Sequence, residues 1–337
     1  MTQETVLVTG ASGYIGLHAI KQLLDQGYGV RGTVRSMKRE GEIREALSKS
    51  GSNSQMLTLV EADLLKDEGW EDAVQGCAYV LHIASPFFIG EPDDENEMIK
   101  PAVEGTVRVL TAAAKAGVKK VVQTSSCAAI TDTFDGKERY SEADWSRADH
   151  PKCSAYYKSK TLAEKAAWDF MASDQSGMTL SVINPAMVVG PSLTDDIGTS
   201  NSVIERLING SLPAAIRFHL GYVDVRDVAS AHILAMTNPA SDGERFIVSE
   251  RELWMAETAA VLREAGFRKA PKITLPNFVV RLVALFDKEL GSALNTLGKP
   301  VITPSDKARK VLGWQPRDAR QSVVETAKQL EQMGLAA

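Results

Sequence analysis

Cysteine is scarce in this sequence: Cys77, Cys127 and Cys153 are odd in number and widely spaced. That argues against a disulfide-stapled secreted scaffold and suits reduced thiols in a cytosol. Long apolar runs are missing as well. The stretch from Phe278 to Phe286 is interrupted by Arg281 and is far too short to cross a bilayer. No signal-peptide pattern precedes Val6, where a strand pattern begins almost at once, so a cytoplasmic protein is expected. There is no basic tract, no internal repeat and no low-complexity segment. At a net charge of −5, nothing electrostatic recruits nucleic acid. What is present is ordinary globular composition, 44% hydrophobic and 24% charged, over 337 residues. That length allows one large α/β domain with an appended lobe, or two domains.

Thr5-Val6-Leu7-Val8 is a short continuous apolar run, of the kind buried on both faces of a parallel sheet. Further strand patterns fall at Val30–Val34, Met56–Val60, Tyr79–Ile83, Val121–Thr124, Thr179–Ile183 and Arg245–Val248. Helical patterns separate them, most clearly over Asn96–Ala116 and Ala155–Ala172. This alternation predicts an α/β fold, a doubly wound parallel sheet of the Rossmann type. After Asn184-Pro185 the pattern becomes irregular, and from Leu253 it is mostly helical. The expected organisation is a dinucleotide-binding domain of residues 1–185 plus 222–248. A smaller, mostly helical substrate lobe takes 186–221 plus 249–310, and a C-terminal helix in 311–337 packs back. The lobe should sit over the C-terminal strand edge, where open α/β sheets bind ligands.

Gly10-x-x-Gly13-x-x-Gly16 lies directly after the first strand and directly before a helix. In that context the first glycine permits a tight turn and the second lets backbone approach a pyrophosphate. The third allows close helix packing, and the helix N-terminus offers N–H groups to the phosphates. The second strand ends at Val34-Arg35-Ser36-Met37-Lys38-Arg39, with no carboxylate until Glu40. An acid there would accept ribose hydroxyls and repel a 2′-phosphate. Arg35, Lys38 and Arg39 instead suit that phosphate, so NADPH/NADP+ is expected over NADH. A solvated basic turn is the plainer alternative. Asp63 and Leu64, after the third strand, are placed to meet the adenine.

Tyr156 and Lys160 stand four residues apart at the start of a helical pattern, so their side chains share one face. An ammonium beside a phenol favours the phenolate, which predicts a lowered Tyr156 pKa and a proton donor for a carbonyl oxygen. A serine at the end of the fifth strand, in Ser125-Ser126, would hydrogen-bond that oxygen. Alone, the Tyr-x-x-x-Lys spacing is common by chance.

Together these features resemble the extended branch of the short-chain dehydrogenase/reductases. The matching segments are Thr9 to Gly16, Thr124-Ser125-Ser126, Tyr156-x-x-x-Lys160 and Asn184-Pro185. Arg31 to Arg35, His82 to Phe87, Ala163 to Trp168 and Tyr222 to Asp227 narrow the likeness. They are similar to dihydroflavonol 4-reductase, cinnamoyl-CoA reductase and fungal NADPH-dependent methylglyoxal and ketone reductases. The resemblance implies reduction of an aldehyde or ketone to an alcohol, with Ser126, Tyr156 and Lys160 as the catalytic set. It also implies that Lys160 binds the nicotinamide ribose. Cofactor contacts would fall on Ser12, Tyr14, Ile15, Ile83, Ala84, Ser85 and Thr124, with Pro185 and Val188 facing the nicotinamide.

Ser85, Phe87, Phe88, Thr131 and Tyr222 are the candidate substrate-pocket residues, suited to a small molecule with a hydrophobic substituent. Dihydroflavonol 4-reductases tend to carry Asn where Thr131 stands, which weakens a flavonoid-specific role. Cys127 reads as an inert buried thiol and His82 as a packing residue, with no metal-ligand spacing around either. The alternatives are an NAD-dependent sugar-nucleotide epimerase or dehydratase, which should end the second strand in an acid, and a non-catalytic NADP-sensing protein. The latter has no need of a proton-donating pair. A monomer or homodimer is expected, without membrane association.

Overall fold

A computed structural model describes residues 4–85, 92–131, 134–286 and 294–336. Its strands are β1 (Thr5–Val8), β2 (Gly29–Val34), β3 (Leu57–Glu61), β4 (Tyr79–His82) and β5 (Lys120–Thr124), followed by β6 (Thr179–Pro185), β7 (Met187–Val189), β8 (His219–Asp224), β9 (Glu244–Val248) and β10 (Arg251–Trp254). The helices are α1 (Tyr14–Asp25), α2 (Glu40–Lys49), α3 (Trp70–Val74), α4 (Asn96–Lys115), α5 (Ala155–Ser173) and α6 (Asn201–Ile208). After them come α7 (Val225–Thr237), α8 (Met255–Glu264), α9 (Asn277–Val283), α10 (Asp306–Leu312) and α11 (Ala319–Gln332).

Seven strands form one sheet in the order β3-β2-β1-β4-β5-β6-β9, with every pairing parallel. The order reverses between β1 and β4, which opens a crevice at their C-terminal ends, the ligand position of doubly wound sheets. Apolar strands such as Val6-Leu7-Val8 are fully buried because helices cover both faces. On one face α1 and α7 enclose a core with Leu17, Ile20 and Val228; on the other, Trp70, Leu110 and Ala167 pack from α3, α4 and α5.

Periodicity did not reveal a second, three-stranded sheet, in the order β10-β8-β7. Tyr222–Asp224, grouped with the dinucleotide domain in the sequence reading, therefore pair with β7 and β10. The segment from Tyr222 to Asp227 works as a strand-to-helix joint. Asp224 caps α7 by accepting from the Arg226 N–H at 2.8 Å, and Arg226 bridges Asp224 to Glu325 of α11. Helix α11 buries Val323, Ala327 and Leu330 in the lobe core beside Ile204 and Leu262. Ala308, Leu312 and Trp314 join the α1/α7 core instead.

Candidate active site

The crevice is built around Thr9, which follows β1. Its hydroxyl oxygen accepts from the Ile83 and Ala84 N–H groups at 3.0 and 2.9 Å. The hydroxyl proton is left for Nδ1 of His82 at 3.0 Å, which places the imidazole proton on Nε2. Burial lowers His82 to about 3, so it stays neutral. His82 is thus a packing residue with a fixed tautomer, and it holds the strand end that carries Ile83, Ala84 and Ser85 against the glycine loop.

Two glycines of that loop are required by geometry. Gly10 has φ +72°, and a Cβ there would lie 3.2 Å from Ala84 Cα. At Gly16 a Cβ would sit 2.2 Å from the Gly10 carbonyl oxygen, so no side chain fits. Helix α1 begins at Tyr14 with Gly13 as N-cap, no side-chain cap and no acidic residue in its first turn. Its leading N–H groups are therefore available to an anion. Ser12 and Ile15 lie half-buried on this loop and first turn. The Tyr14 phenol is committed elsewhere: it donates to the Gly190 carbonyl at 2.7 Å and accepts from Asn201 at 3.1 Å. Only the backbone of Tyr14 remains for a phosphate.

At the end of β2, Arg35 is exposed and makes no hydrogen bond or ion pair among the described residues, and the Lys38 ammonium is equally open. Arg39 differs, because Glu42 holds its guanidinium through two bonds of 2.7 Å. Asp63 accepts from the Leu65 N–H at 3.1 Å, and Leu64 lines the crevice with His82, Ala84, Ser85, Thr124 and Lys160. A loop that excludes Cβ atoms, an uncapped helix start and unpaired cations beside it fit a phosphorylated dinucleotide.

Ser126 and Tyr156 meet through a hydrogen bond. Ser126 caps the 3-10 turn Cys127–Ala129, its Oγ accepting from the Ala128 N–H at 3.1 Å. Ser154 caps α5 and so sets Tyr156 in the first turn, where its phenol donates to Ser126 Oγ at 3.3 Å. Lys160 Nζ lies 5.9 Å from the centre of the Tyr156 ring. One expectation needs correction. The phenol is not lowered: burial raises its pKa, and the Ser126 hydrogen bond offsets this only in part. Burial also lowers the Lys160 ammonium to about 8, so the same desolvation acts against both charged forms.

The Thr124 hydroxyl is oriented by a residue the sequence reading missed. His232 Nδ1 donates to the Val228 carbonyl at 2.7 Å, leaving Nε2 to accept from Thr124 at 2.6 Å. No spacing signal links these two residues, since 108 positions separate them. Pro185 and Val188 are buried on β6 and β7.

The substrate candidates fare unevenly. Tyr222 is fully buried and bonded to Thr258 at 3.0 Å inside the lobe core, so it cannot line a cleft. Thr131 is also buried, its hydroxyl donating to the Cys127 carbonyl at 3.1 Å. Both were read as pocket residues from chain position; packing turns them inward. Phe87 and Phe88 lie outside the described residues. The Cys127 thiol is pushed up to about 12 by burial. Among the described residues no group of side chains is arranged for a metal ion, and no helix is long and apolar enough to cross a membrane.

Comparison with known proteins agrees with this architecture. The chain is 39% identical over 287 residues to a cinnamoyl-CoA reductase of Medicago truncatula, covering 81% of this chain and 83% of that protein. It is 34% identical over 340 residues to cinnamoyl-CoA reductase 1 of Petunia hybrida, covering 98% and 93%. The structure of yeast methylglyoxal/isovaleraldehyde reductase Gre2 complexed with NADPH superposes with a TM-score of 0.81. Identity there is 29%, over 98% of this chain and 99% of that one. Residues 6–249 match the NAD dependent epimerase/dehydratase family. The chain belongs to that family, within the extended short-chain dehydrogenase/reductases.

Proposed function

We propose that this protein reduces an aldehyde or ketone carbonyl of a small molecule to an alcohol, with NADPH as its cofactor. The observation that carries the reading is the Tyr156–Ser126 hydrogen bond of 3.3 Å, with Lys160 one turn further along α5. NADPH, when bound, supplies the hydride. The first turn of α1 holds the pyrophosphate, and Arg35 and Lys38 take the 2′-phosphate. Lys160 binds the nicotinamide ribose. Ser126 hydrogen-bonds the substrate oxygen, and Tyr156 delivers a proton to it as negative charge develops. A phenol whose pKa burial has raised is fully protonated near neutral pH, which suits a general acid in the reductive direction.

Arg35 favours this reading over an NAD-dependent sugar-nucleotide reaction, because no carboxylate ends β2. The committed hydroxyl of Thr131 counts against a flavonoid-specific pocket. We place the protein in the cytosol, in keeping with three cysteines that form no disulfide. The test is NADPH consumption with aldehydes, diketones, α-ketoesters and dihydroflavonols. Turnover of one class identifies the substrate, whereas inactivity across all four would reject the proposal.

A further inference from the structure

Behind the site lies a buried ion pair that the reaction itself does not use. Glu164 stands eight residues after Tyr156 on α5, about 12 Å along the helix and on the same face as Tyr156 and Lys160. Its side chain is fully buried. Every polar group aimed at it is a donor. Ser125 Oγ donates at 2.5 Å and Asn184 Nδ2 at 2.8 Å, both to Oε2, while Arg245 Nε and, at 3.4 Å, Trp168 Nε1 donate to Oε1. A carboxylate, which only accepts, satisfies all four at once.

Apart from Trp168, on α5 itself, the donors come from three neighbouring strands or their ends. Ser125 follows β5, Asn184 ends β6 and Arg245 begins β9. Asn184 also donates to the Ser126 carbonyl at 3.2 Å. Arg245 grips the loop before α5 through the Glu142 and Asp144 carbonyls, both at 2.8 Å, and stacks 3.7 Å from the centre of the Trp145 ring. The carboxylate thus ties the segment bearing Ser126 to the helix bearing Tyr156. We propose that Glu164, with Arg245 as its counter-charge, is the positioning residue that sets the Ser126–Tyr156 alignment. This inference rests on the catalytic roles assigned above.

Stability alone is a poor explanation for the cluster. A buried ion pair is often no better than an apolar replacement, because desolvation offsets its Coulomb attraction. Here Arg245 Nη2 and Asn184 Oδ1 are moreover buried without a hydrogen-bond partner among the described residues. What the cluster does supply is direction, with each bond fixing one strand end against α5.

Glu164→Gln keeps the shape but replaces one acceptor with a donor facing donors. Ser125→Ala removes a single bond to Glu164 and is the milder variant, so it decides the matter if the first fails to fold. Both are compared with wild type for kcat, KM, NADPH Kd by fluorescence, thermal midpoint, and the isotope effect with NADPH deuterated at the transferred hydrogen. The expected result is a kcat loss of about ten- to a hundredfold for Glu164→Gln, a smaller loss for Ser125→Ala, and a larger isotope effect in both. NADPH Kd should stay within about twofold, since neither change touches the phosphate cradle. Folded variants that keep wild-type kcat, with only a lower thermal midpoint, would reduce Glu164 to a structural ion pair. A loss that follows weakened NADPH binding would overturn the proposal too. Wild-type protein inactive on every carbonyl would remove both this inference and the assigned reaction, whereas active wild type with unaltered variants removes this inference alone.

Discussion

The Tyr156 phenol donates to Ser126 Oγ at 3.3 Å, joining the first turn of α5 to the end of β5 across 30 residues of sequence. That contact places the proposed proton donor and the proposed carbonyl-orienting hydroxyl side by side. Tyr156→Phe removes the proton while keeping the ring. Reduction should fall by about a thousandfold or more, and NADPH binding should persist. Steady-state kinetics with a fluorescence titration of NADPH tests this, and retained turnover would refute the role of Tyr156.

The pH dependence follows from burial. Lys160, lowered to about 8 by burial, is the member of the proposed catalytic set that changes charge nearest neutrality, and its ammonium is the form the proposed reaction uses. It is lost as pH rises, so kcat/KM for reduction should be level below pH 7 and fall above about 8. The Tyr156 phenol, raised by burial, stays protonated across that range. No limb is expected near pH 6, because the buried histidines His82, His18 and His232 are held at about 3, about 4 and about 4 and are already neutral there. A profile with a histidine-like limb would contradict this.

Cofactor choice should depend on Arg35 more than on Arg39. Arg35 is open, whereas Arg39 is held by Glu42. Arg35→Ala is expected to raise KM for NADPH about tenfold or more with little change for NADH, the loss of one charge-assisted contact. Arg39→Ala should do markedly less. Equal effects of the two substitutions, measured as the ratio of kcat/KM for the two cofactors, would count against the assignment.

Gly16→Ala probes the loop. Its Cβ would come to 2.2 Å from the Gly10 carbonyl, so the turn must shift. A stability loss of about 1–3 kcal/mol is expected, with NADPH affinity lowered as well. Unchanged denaturation and unchanged Kd would show that the close approach is not needed.

No disulfide joins Cys77, Cys127 and Cys153 in the structure. Thermal midpoint and turnover should therefore be the same with and without a thiol reductant, and loss of either on reduction would reveal a required disulfide.

Much of this was legible in the chain because it is local. The strands of the seven-stranded sheet fall within two residues of their expected limits, since a parallel strand covered on both faces must be a continuous apolar run. Gly10, Gly13 and Gly16 could be read because the turn demands them at fixed spacing. Tyr156 and Lys160 could be paired because one helical turn brings them together. The lobe was harder. Its sheet is made of strands β7, β8 and β10, of three to six residues, and the pairing of β8 with β7 joins segments separated by helix α6.

The sequence by itself determined the sheet, the glycine cradle and the Tyr-x-x-x-Lys helix, because each is encoded by periodicity or by spacing within a few residues. Tertiary packing alone decided which polar groups remain available. It sent Tyr222 and Thr131 inward, bound Arg39 to Glu42, and raised the Tyr156 phenol when proximity to an ammonium predicted the opposite. It also gathered Ser125, Asn184 and Arg245 around Glu164, although they come from three strands. The physical reason is common to all of these. Desolvation and hydrogen-bond satisfaction depend on every neighbour in space, and chain order records only some of them.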